Sequence, residues 1–127
     1  MQISHLDHLV LTVRSLEETC QFYERVLGMQ VASFGAGRTA LHFGQQKINL
    51  HLAGHEFEPK AHQPTPGSAD LCFITTVSPD EVLLHLHNCG VAIVEGPVPK
   101  TGAQGAMTSV YVRDPDENLL EIASYDQ

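Results

Sequence analysis

The stretch Asp7-His8-Leu9-Val10-Leu11-Thr12-Val13 decides the fold, together with the segment that follows it as far as Gly28. With Leu6 before it, its β-branched and apolar residues predict a strand at Leu6–Val13. Ser15 and Glu18 then form a capping box, which indicates the start of a helix. Gly28 suits the left-handed residue that ends a helix. The stretch therefore predicts a strand followed at once by a short helix.

The helix and the segments after it complete a βαβββ unit. Four apolar residues at spacings of four, three and four predict one face of the helix: Leu16, Cys20, Tyr23 and Leu27. Three strand-length segments then follow, separated by turns that contain glycine: Gln30–Phe34, Thr39–Phe43 and Lys47–Leu52.

The same order returns in the second half of the chain. Gly90 follows Asp70 by the same 20 positions that separate Gly28 from His8. Asp70–Thr76 is a predicted strand, and Ser78-Pro79-Asp80-Glu81 is a second capping box. Three more strands are predicted at Ala92–Val94, Thr108–Arg113 and Asn118–Ala123. We therefore expect an α+β domain of two βαβββ modules, about residues 4–53 and 69–125, joined by a polar connector at 54–68. Each module would contribute to a curved mixed sheet.

Composition excludes several classes of function. The chain has 127 residues, of which 43% are hydrophobic and 17% charged, as in an ordinary globular protein. Fifteen acidic against seven basic side chains give a formal net charge of −8, which disfavours binding to nucleic acid or to an anionic membrane. Three widely spaced cysteines fit reduced thiols, so a cytoplasmic protein is expected.

Three segments carry a family resemblance: Asp7–Val13, Phe22–Met29 and Asp114–Glu121. With them the chain resembles the vicinal-oxygen-chelate superfamily, which includes glyoxalase I, extradiol dioxygenases and bleomycin-resistance proteins. The pattern Phe-Tyr-x-x-Val-Leu-Gly-Met looks particularly like glyoxalase I. Residues 46–51 and 66–70 are similar to those of small glyoxalase-domain proteins, some of them called virulence proteins.

The resemblance implies a metal centre held by residues from the first and last strands of each module. It places His8 on the first ligand position and Glu121 on the last. The remaining two positions fall on Asp70 and Asn49, and His51 is a rival ligand on the same strand face as Asn49. A set of two histidines and two carboxylates suits Ni²⁺, Zn²⁺, Mn²⁺ or Fe²⁺ without choosing among them.

Other residues are candidates for the substrate pocket. Cys72 shares a strand face with Asp70, although an inert buried thiol is the alternative. His42 is a candidate because side chains alternate between the two faces of a strand, and one face of the third strand would line the pocket. Lys100 lies in a Gly- and Pro-rich segment at 96–105, expected to be a substrate-facing loop, where it would attract a carboxylate or phosphate unless it is an ordinary surface lysine. The alternative anion anchors are Arg14, Arg25 and Arg38.

The function implied by the resemblance is a metal-dependent lyase of the lactoylglutathione type, with a small-molecule substrate and glutathione as cosubstrate. Glu121 would serve as metal ligand and base while an enediolate is stabilised. One alternative is an Fe²⁺ extradiol dioxygenase with a His-His-carboxylate triad. Another is a non-catalytic protein that sequesters a small molecule. Family members of this length commonly pair as homodimers.

Overall fold

The computed structural model describes residues 1–127. The chain divides into two compact units, Met1–Gly67 and Ser68–Gln127. Each unit contains one helix and a four-stranded mixed sheet, with the elements in the order βαβββ. The predicted α+β fold class and the repeated element order are confirmed.

The first unit contains β1 to β4 and α1. Their bounds are β1 His8–Val13, α1 Leu16–Leu27, β2 Gln30–Phe34, β3 Arg38–Phe43 and β4 Gln46–Leu52. The strand order in the sheet is β1-β4-β3-β2, in which β1 and β4 are parallel and the other neighbours are antiparallel. The parallel pair is formed by the first and last strands of the unit, since the helix and a hairpin lie between them in sequence.

Helix α1 begins and ends where its capping residues predict. Ser15 Oγ accepts a hydrogen bond of 3.1 Å from the backbone N–H of Glu18, and Gly28 is left-handed with φ 66°. The most buried face of the helix consists of Thr19, Phe22, Tyr23 and Val26. The stripe predicted from sequence was therefore partly wrong: of its members only Tyr23 is fully buried, because Thr19 and Val26 turn inward beside it.

The second unit contains β5 to β8 and α2. Their bounds are β5 Asp70–Ile74, α2 Pro79–Asn88, β6 Glu95–Gly102, β7 Gly105–Arg113 and β8 Leu119–Tyr125. The strand order is β5-β8-β7-β6, again with a parallel pair of first and last strands. Its core is apolar side chains from the helix and the two central strands: Val82, Leu86, Val110, Val112, Leu120 and Ile122.

One predicted strand was wrong. Residues 92–94 form no strand, and β6 instead occupies Glu95–Gly102, within the segment expected to be a substrate-facing loop. Pro97 and Pro99 made a strand improbable from sequence. They are accommodated because β6 lies at the edge of the sheet, where a residue without a backbone N–H breaks no internal ladder.

Strand alternation gives each sheet one face for its helix and one polar face. In the first unit the polar face, called face 1 here, carries His8, Arg38, His42, Lys47, Asn49 and His51. In the second unit the corresponding face 2 carries Asp70, Cys72, Lys100, Ser109, Tyr111 and Glu121. All the candidate metal-ligand and pocket residues predicted from sequence therefore lie on these two faces, whereas the candidate anion anchors Arg14 and Arg25 do not: Arg14 follows β1 and Arg25 is on α1. Neither helix is long and apolar enough to cross a membrane.

Candidate functional site

His8 is held by a carboxylate next to it in the chain. Its Nδ1 donates to Oδ2 of Asp7 at 2.7 Å, which leaves Nε2 as the ring nitrogen open to a ligand. The side chain is 44% exposed at the start of β1. This hydrogen bond with His8 lowers the pKa of Asp7. A carboxylate that orients an imidazole in this way is the usual partner of a metal-binding histidine.

Asn49 is the unsatisfied polar group of face 1. It lies on β4 between Val10 on β1 and Ala40 on β3, and it is only 6% exposed. Its Oδ1 is buried and accepts no hydrogen bond. A buried acceptor without a partner costs about 1–3 kcal/mol. Such an atom is what a bound cation or a ligand donor would satisfy.

His51 is buried at 3% exposure and interacts with Arg38. Its Nε2 lies 3.3 Å from Nη2 of Arg38, and because a guanidinium can only donate, His51 is the acceptor. Burial, and then the charge of Arg38, lower the pKa of His51. At neutral pH His51 is therefore uncharged, with its Nε2 lone pair directed at Arg38.

His51 is not adjacent to His8. In the parallel pair His8 is opposite Lys47, whereas His51 is opposite Thr12. Four residues along a strand correspond to about 13 Å. The metal-ligand role of His51 stays a prediction. His42 lies opposite Lys47 on β3 and is exposed on the same face.

On face 2 the carboxylate of Glu121 is the central group. Ser109 Oγ donates to Oε2 of Glu121 at 2.5 Å, and Ser109 is fully buried. Cys72 lies opposite Glu121 on one side, in β5, and Tyr111 lies opposite it on the other, in β7. Three protic side chains therefore surround one half-buried carboxylate.

Glu121 changes the acidity of these neighbours. Burial first, and then the charge of and hydrogen bonding to Glu121, raise the pKa of Cys72 to about 11. The same causes raise the pKa of Tyr111 to about 12. Both groups are protonated at neutral pH. Cys72 is exposed at the surface although neighbouring atoms desolvate its thiol enough to raise the pKa, so the expectation of a buried thiol was wrong, and the raised pKa leaves the thiol a weak nucleophile.

Asp70 and Lys100 lie at the margins of face 2. Asp70 begins β5 opposite Leu119 and is exposed, two strand positions from the level of Glu121. Lys100 is on an edge strand, not in a loop, and its Nζ lies 5.7 Å from the ring centroid of Tyr111. Its exposure matches the ordinary surface lysine that was the alternative reading.

The strand registers show which residues of the two faces are equivalent in the internal repeat. Asn49 lies two positions beyond the partner of His8, and Glu121 lies two positions beyond the partner of Asp70. The internal repeat thus makes Asn49 the equivalent of Glu121. An amide in one unit stands where the other unit has a carboxylate.

Sequence reasoning assigned no role to several residues that lie on the two faces or contact them: Asp7, Phe34, Lys47, Phe57, Ser109 and Tyr111. The segment Asp114-Pro115-Asp116-Glu117-Asn118 is typical of a turn between two strands, and counting back across it from Glu121 leads to Tyr111 and Ser109 once the register of β7 against β8 is known from the structure. No comparable signal marks Phe57, because it belongs to the connector.

Each face, taken by itself, carries nitrogen or oxygen donors of the kind that bind a divalent ion. Face 1 offers the imidazole of His8 and the unpaired amide oxygen of Asn49, and face 2 offers the carboxylates of Glu121 and Asp70. These nitrogen and oxygen atoms suit a hard or borderline cation. Within residues 1–127, no three His, Cys, Asp or Glu side chains converge as ligands of one ion.

Comparisons with known proteins place the chain in a family. Residues 5–122 match the model of the Glyoxalase/Bleomycin resistance protein/Dioxygenase superfamily. Virulence protein STM3117 of Salmonella typhimurium is 55% identical over 125 residues, which are 98% of this chain and 87% of that protein. Glyoxalase domain-containing protein RDO1 of Mycosarcoma maydis is 54% identical over 98% of this chain and 70% of that protein.

Solved structures support the same family assignment. A protein from the mobile metagenome of V. Pseudocholerae is 61% identical, covers 100% of this chain and 98% of its own, and superposes with a TM-score of 0.98. Two structures at 21% identity share the fold alone. They are a lactoylglutathione lyase from Agrobacterium tumefaciens, with a TM-score of 0.74, and TnmS3, an antibiotic binding protein from Streptomyces, with a TM-score of 0.76. The chain therefore belongs to the glyoxalase/bleomycin resistance protein/dioxygenase superfamily.

Proposed function

We propose that this protein is a metal-dependent lyase of the glyoxalase I type, which acts on a small oxygenated substrate through an enediolate. The observation that carries the proposal is the surroundings of Glu121. Its carboxylate is fixed by Ser109 and flanked by Cys72 and Tyr111, which stay protonated at neutral pH. A fixed carboxylate among hydrogen-bond donors is suited to moving a proton.

A divalent ion would be held by His8 and Glu121, with Asn49, Asp70 and His51 as the further candidates. Ni²⁺, Zn²⁺, Mn²⁺ and Fe²⁺ all suit such donors. When bound, the ion supplies Lewis-acid stabilisation of the negative charge that develops on substrate oxygens. Asp7 orients the imidazole of His8, and Ser109 orients the carboxylate of Glu121.

The proton transfer is assigned to Glu121. The carboxylate takes a proton from one carbon of the substrate and returns it to the adjacent carbon. Its repeat equivalent, Asn49, is an amide that takes no proton at neutral pH. One carboxylate therefore performs both halves of the transfer, and Tyr111 keeps its phenolic proton as a hydrogen-bond donor throughout.

The test is a metal-dependent assay on the purified protein. Protein treated with a chelator is reloaded with each of the four ions separately, mixed with methylglyoxal and glutathione, and followed for thioester formation. Glu121→Gln is expected to lower kcat by about 100-fold or more, because it removes the base. Glu24→Gln, which removes an exposed carboxylate from helix α1, is the matched control and should retain full activity.

Thioester formation that needs no metal, or that survives Glu121→Gln, would contradict the proposal. If no product forms with any of the four ions, the assignment of methylglyoxal and glutathione as substrates is wrong. In that case metal analysis of the wild type and of His8→Ala decides whether an ion is held at all, since only the wild type should retain it.

Binding without chemistry is the second candidate. It is favoured by the absence of three converging ligands within the chain, and the fold is also that of an antibiotic binding protein. A binder would take up small molecules equally well with and without metal. An Fe²⁺ dioxygenase would instead consume oxygen with catechols, a measurement that separates it from both.

We also expect the chain to work as a cytoplasmic homodimer. Since no three ligands converge within one chain, a second copy is one source of the remaining ones. Light scattering after gel filtration gives the oligomeric state, and a monomer with full activity would refute the dimer.

A further inference from the structure

Face 1 carries two cations that contact one aromatic ring. Cζ of Arg38 lies 5.2 Å from the ring centroid of Phe34, and Nζ of Lys47 lies 4.0 Å from the same centroid. Arg38 also lies 4.7 Å from the centroid of Phe57. We call Arg38 and Lys47 the cation pair. Both side chains are half-buried, so their charges are partly removed from water.

The cation pair has no acidic partner. Neither residue forms a salt bridge, although the chain has 15 acidic side chains. The carboxylates whose charges reach this face are engaged elsewhere. Asp7 accepts from His8, and Glu56 accepts from the backbone of Gly54 and pairs with Lys60.

Arg38 is held in place with most of its donors unused. Of its five N–H groups, one donates to His51, and the two phenyl rings contact the guanidinium by cation–π interaction. A guanidinium fixed in this way presents its remaining N–H groups in one plane. That is the geometry with which arginine binds a carboxylate or a phosphate through two hydrogen bonds.

The repulsion within the cation pair also favours an anion. Two positive charges on one ring repel each other, and partial burial weakens the screening by water. Each is attracted to the face of Phe34, but a neutral ring does not cancel the repulsion. A ligand anion would neutralise both charges without displacing any hydrogen bond of the protein.

The geometry points to an anion-binding subsite at Arg38 and Lys47, which takes a carboxylate or phosphate group of the substrate. The inference rests on the proposed function where it calls the bound anion a substrate, and it names the substrate class of that site as anionic. The subsite adjoins Asn49, which lies between Lys47 and His51 along β4. The substrate's charged group would thus be bound next to the unsatisfied amide oxygen of face 1.

The test is binding to metal-free protein, so that it is independent of turnover. Chelator-treated, ¹⁵N-labelled full-length protein is titrated with benzoate, with inorganic phosphate and with neutral benzyl alcohol, and followed by NMR chemical shifts. At least one anion should shift the side-chain signals of Arg38, and benzyl alcohol should not. The anion with the lower dissociation constant identifies the group, carboxylate or phosphate, that the subsite prefers.

Two variants and one control assign the binding to the cation pair. Arg38→Gln and Lys47→Gln are each expected to raise the dissociation constant at least about tenfold, because each removes a charge-assisted hydrogen bond. Lys60→Gln removes the same charge from the connector, where Lys60 pairs with Glu56 and Glu58, and should stay within about twofold. The amide spectrum of each variant verifies its fold.

The outcomes separate this inference from the proposed function. Anion binding that both variants weaken supports the subsite even where no metal-dependent activity is found. The subsite is overturned if neither anion binds, or if both variants bind as the wild type does. It is also overturned if the control loses affinity as strongly as the two variants, even where thioester formation is observed.

Discussion

Ser109 on β7 donates a hydrogen bond of 2.5 Å to Glu121 on β8, although the two residues are not directly opposite each other. Ser109 is opposite Ala123, so the hydroxyl reaches diagonally across the ladder. Because Ser109 is fully buried and Glu121 is half-buried, this bond joins the core of the second unit to the carboxylate on which the proposed chemistry depends.

Ser109→Ala is expected to lower both stability and activity. Leaving a half-buried carboxylate oxygen without its donor costs about 1–3 kcal/mol of unfolding free energy, measured by urea denaturation. A mispositioned base should also lower kcat more than it raises KM. Ser124→Ala, in the same sheet but on its other face, is the control and should change the free energy by less than about 0.5 kcal/mol. Equal losses in the two variants would show that the bond has no special role.

Cys72 should react slowly in spite of its exposure. A pKa of about 11 instead of 9 lowers the thiolate fraction about 100-fold at pH 8, and the greater nucleophilicity of that thiolate recovers only part of it. We expect alkylation by iodoacetamide to be about tenfold slower than for an unperturbed exposed cysteine.

Glu121→Gln removes one cause of the raised pKa of Cys72, so alkylation should accelerate in this variant. Glu24→Gln should leave the rate unchanged. The measurement is mass spectrometry of the peptide that contains Cys72, from pH 7 to pH 11. A rate that reaches half of its plateau value near pH 9 would show that the thiol is not perturbed.

His51 makes the stability depend on pH in a defined direction. Its pKa is lowered in the folded protein by burial and by Arg38, so the unfolded state binds a proton more readily. The contribution of neutral His51 to stability is complete above the unfolded pKa of about 6.5 and is lost as the pH falls below it.

Urea denaturation at pH 7.5 and pH 5.5 checks this dependence. His51→Gln should lose less stability on acidification than the wild type, whereas His55→Gln, in the exposed connector, should lose as much. In NMR titrations Arg38→Gln should raise the pKa of His51 towards 6.5, because the repelling charge is gone. A lower or unchanged pKa in that variant would contradict the assigned cause.

Mixed subunits test whether the ligands come from two chains. His8→Ala and Glu121→Gln are each expected to be inactive alone. If a dimer builds each site from His8 of one copy and Glu121 of the other, randomly mixed dimers should recover about a quarter of wild-type activity. Recovery well below that value, with mixed dimers verified by mass spectrometry, would place both ligands within one chain.

The sequence by itself determined the elements and their repeat. Capping residues such as Ser15 and Gly28 determine helix ends through local hydrogen bonds and backbone conformation, so they are readable without the fold. The local signal failed at β6, because only the position of a strand at a sheet edge makes its prolines acceptable.

Only the tertiary structure decided which side chains meet. The register of β7 against β8 puts Ser109 and Tyr111 beside Glu121, and the connector brings Phe57 to Arg38 and His51. These neighbours lie between 6 and 19 positions apart in sequence, beyond the reach of local propensity, and a shift of one residue in register would turn each of the strand residues to the other face. The physical reason is that long-range pairing and packing set such contacts, whereas local propensity sets the elements that carry them.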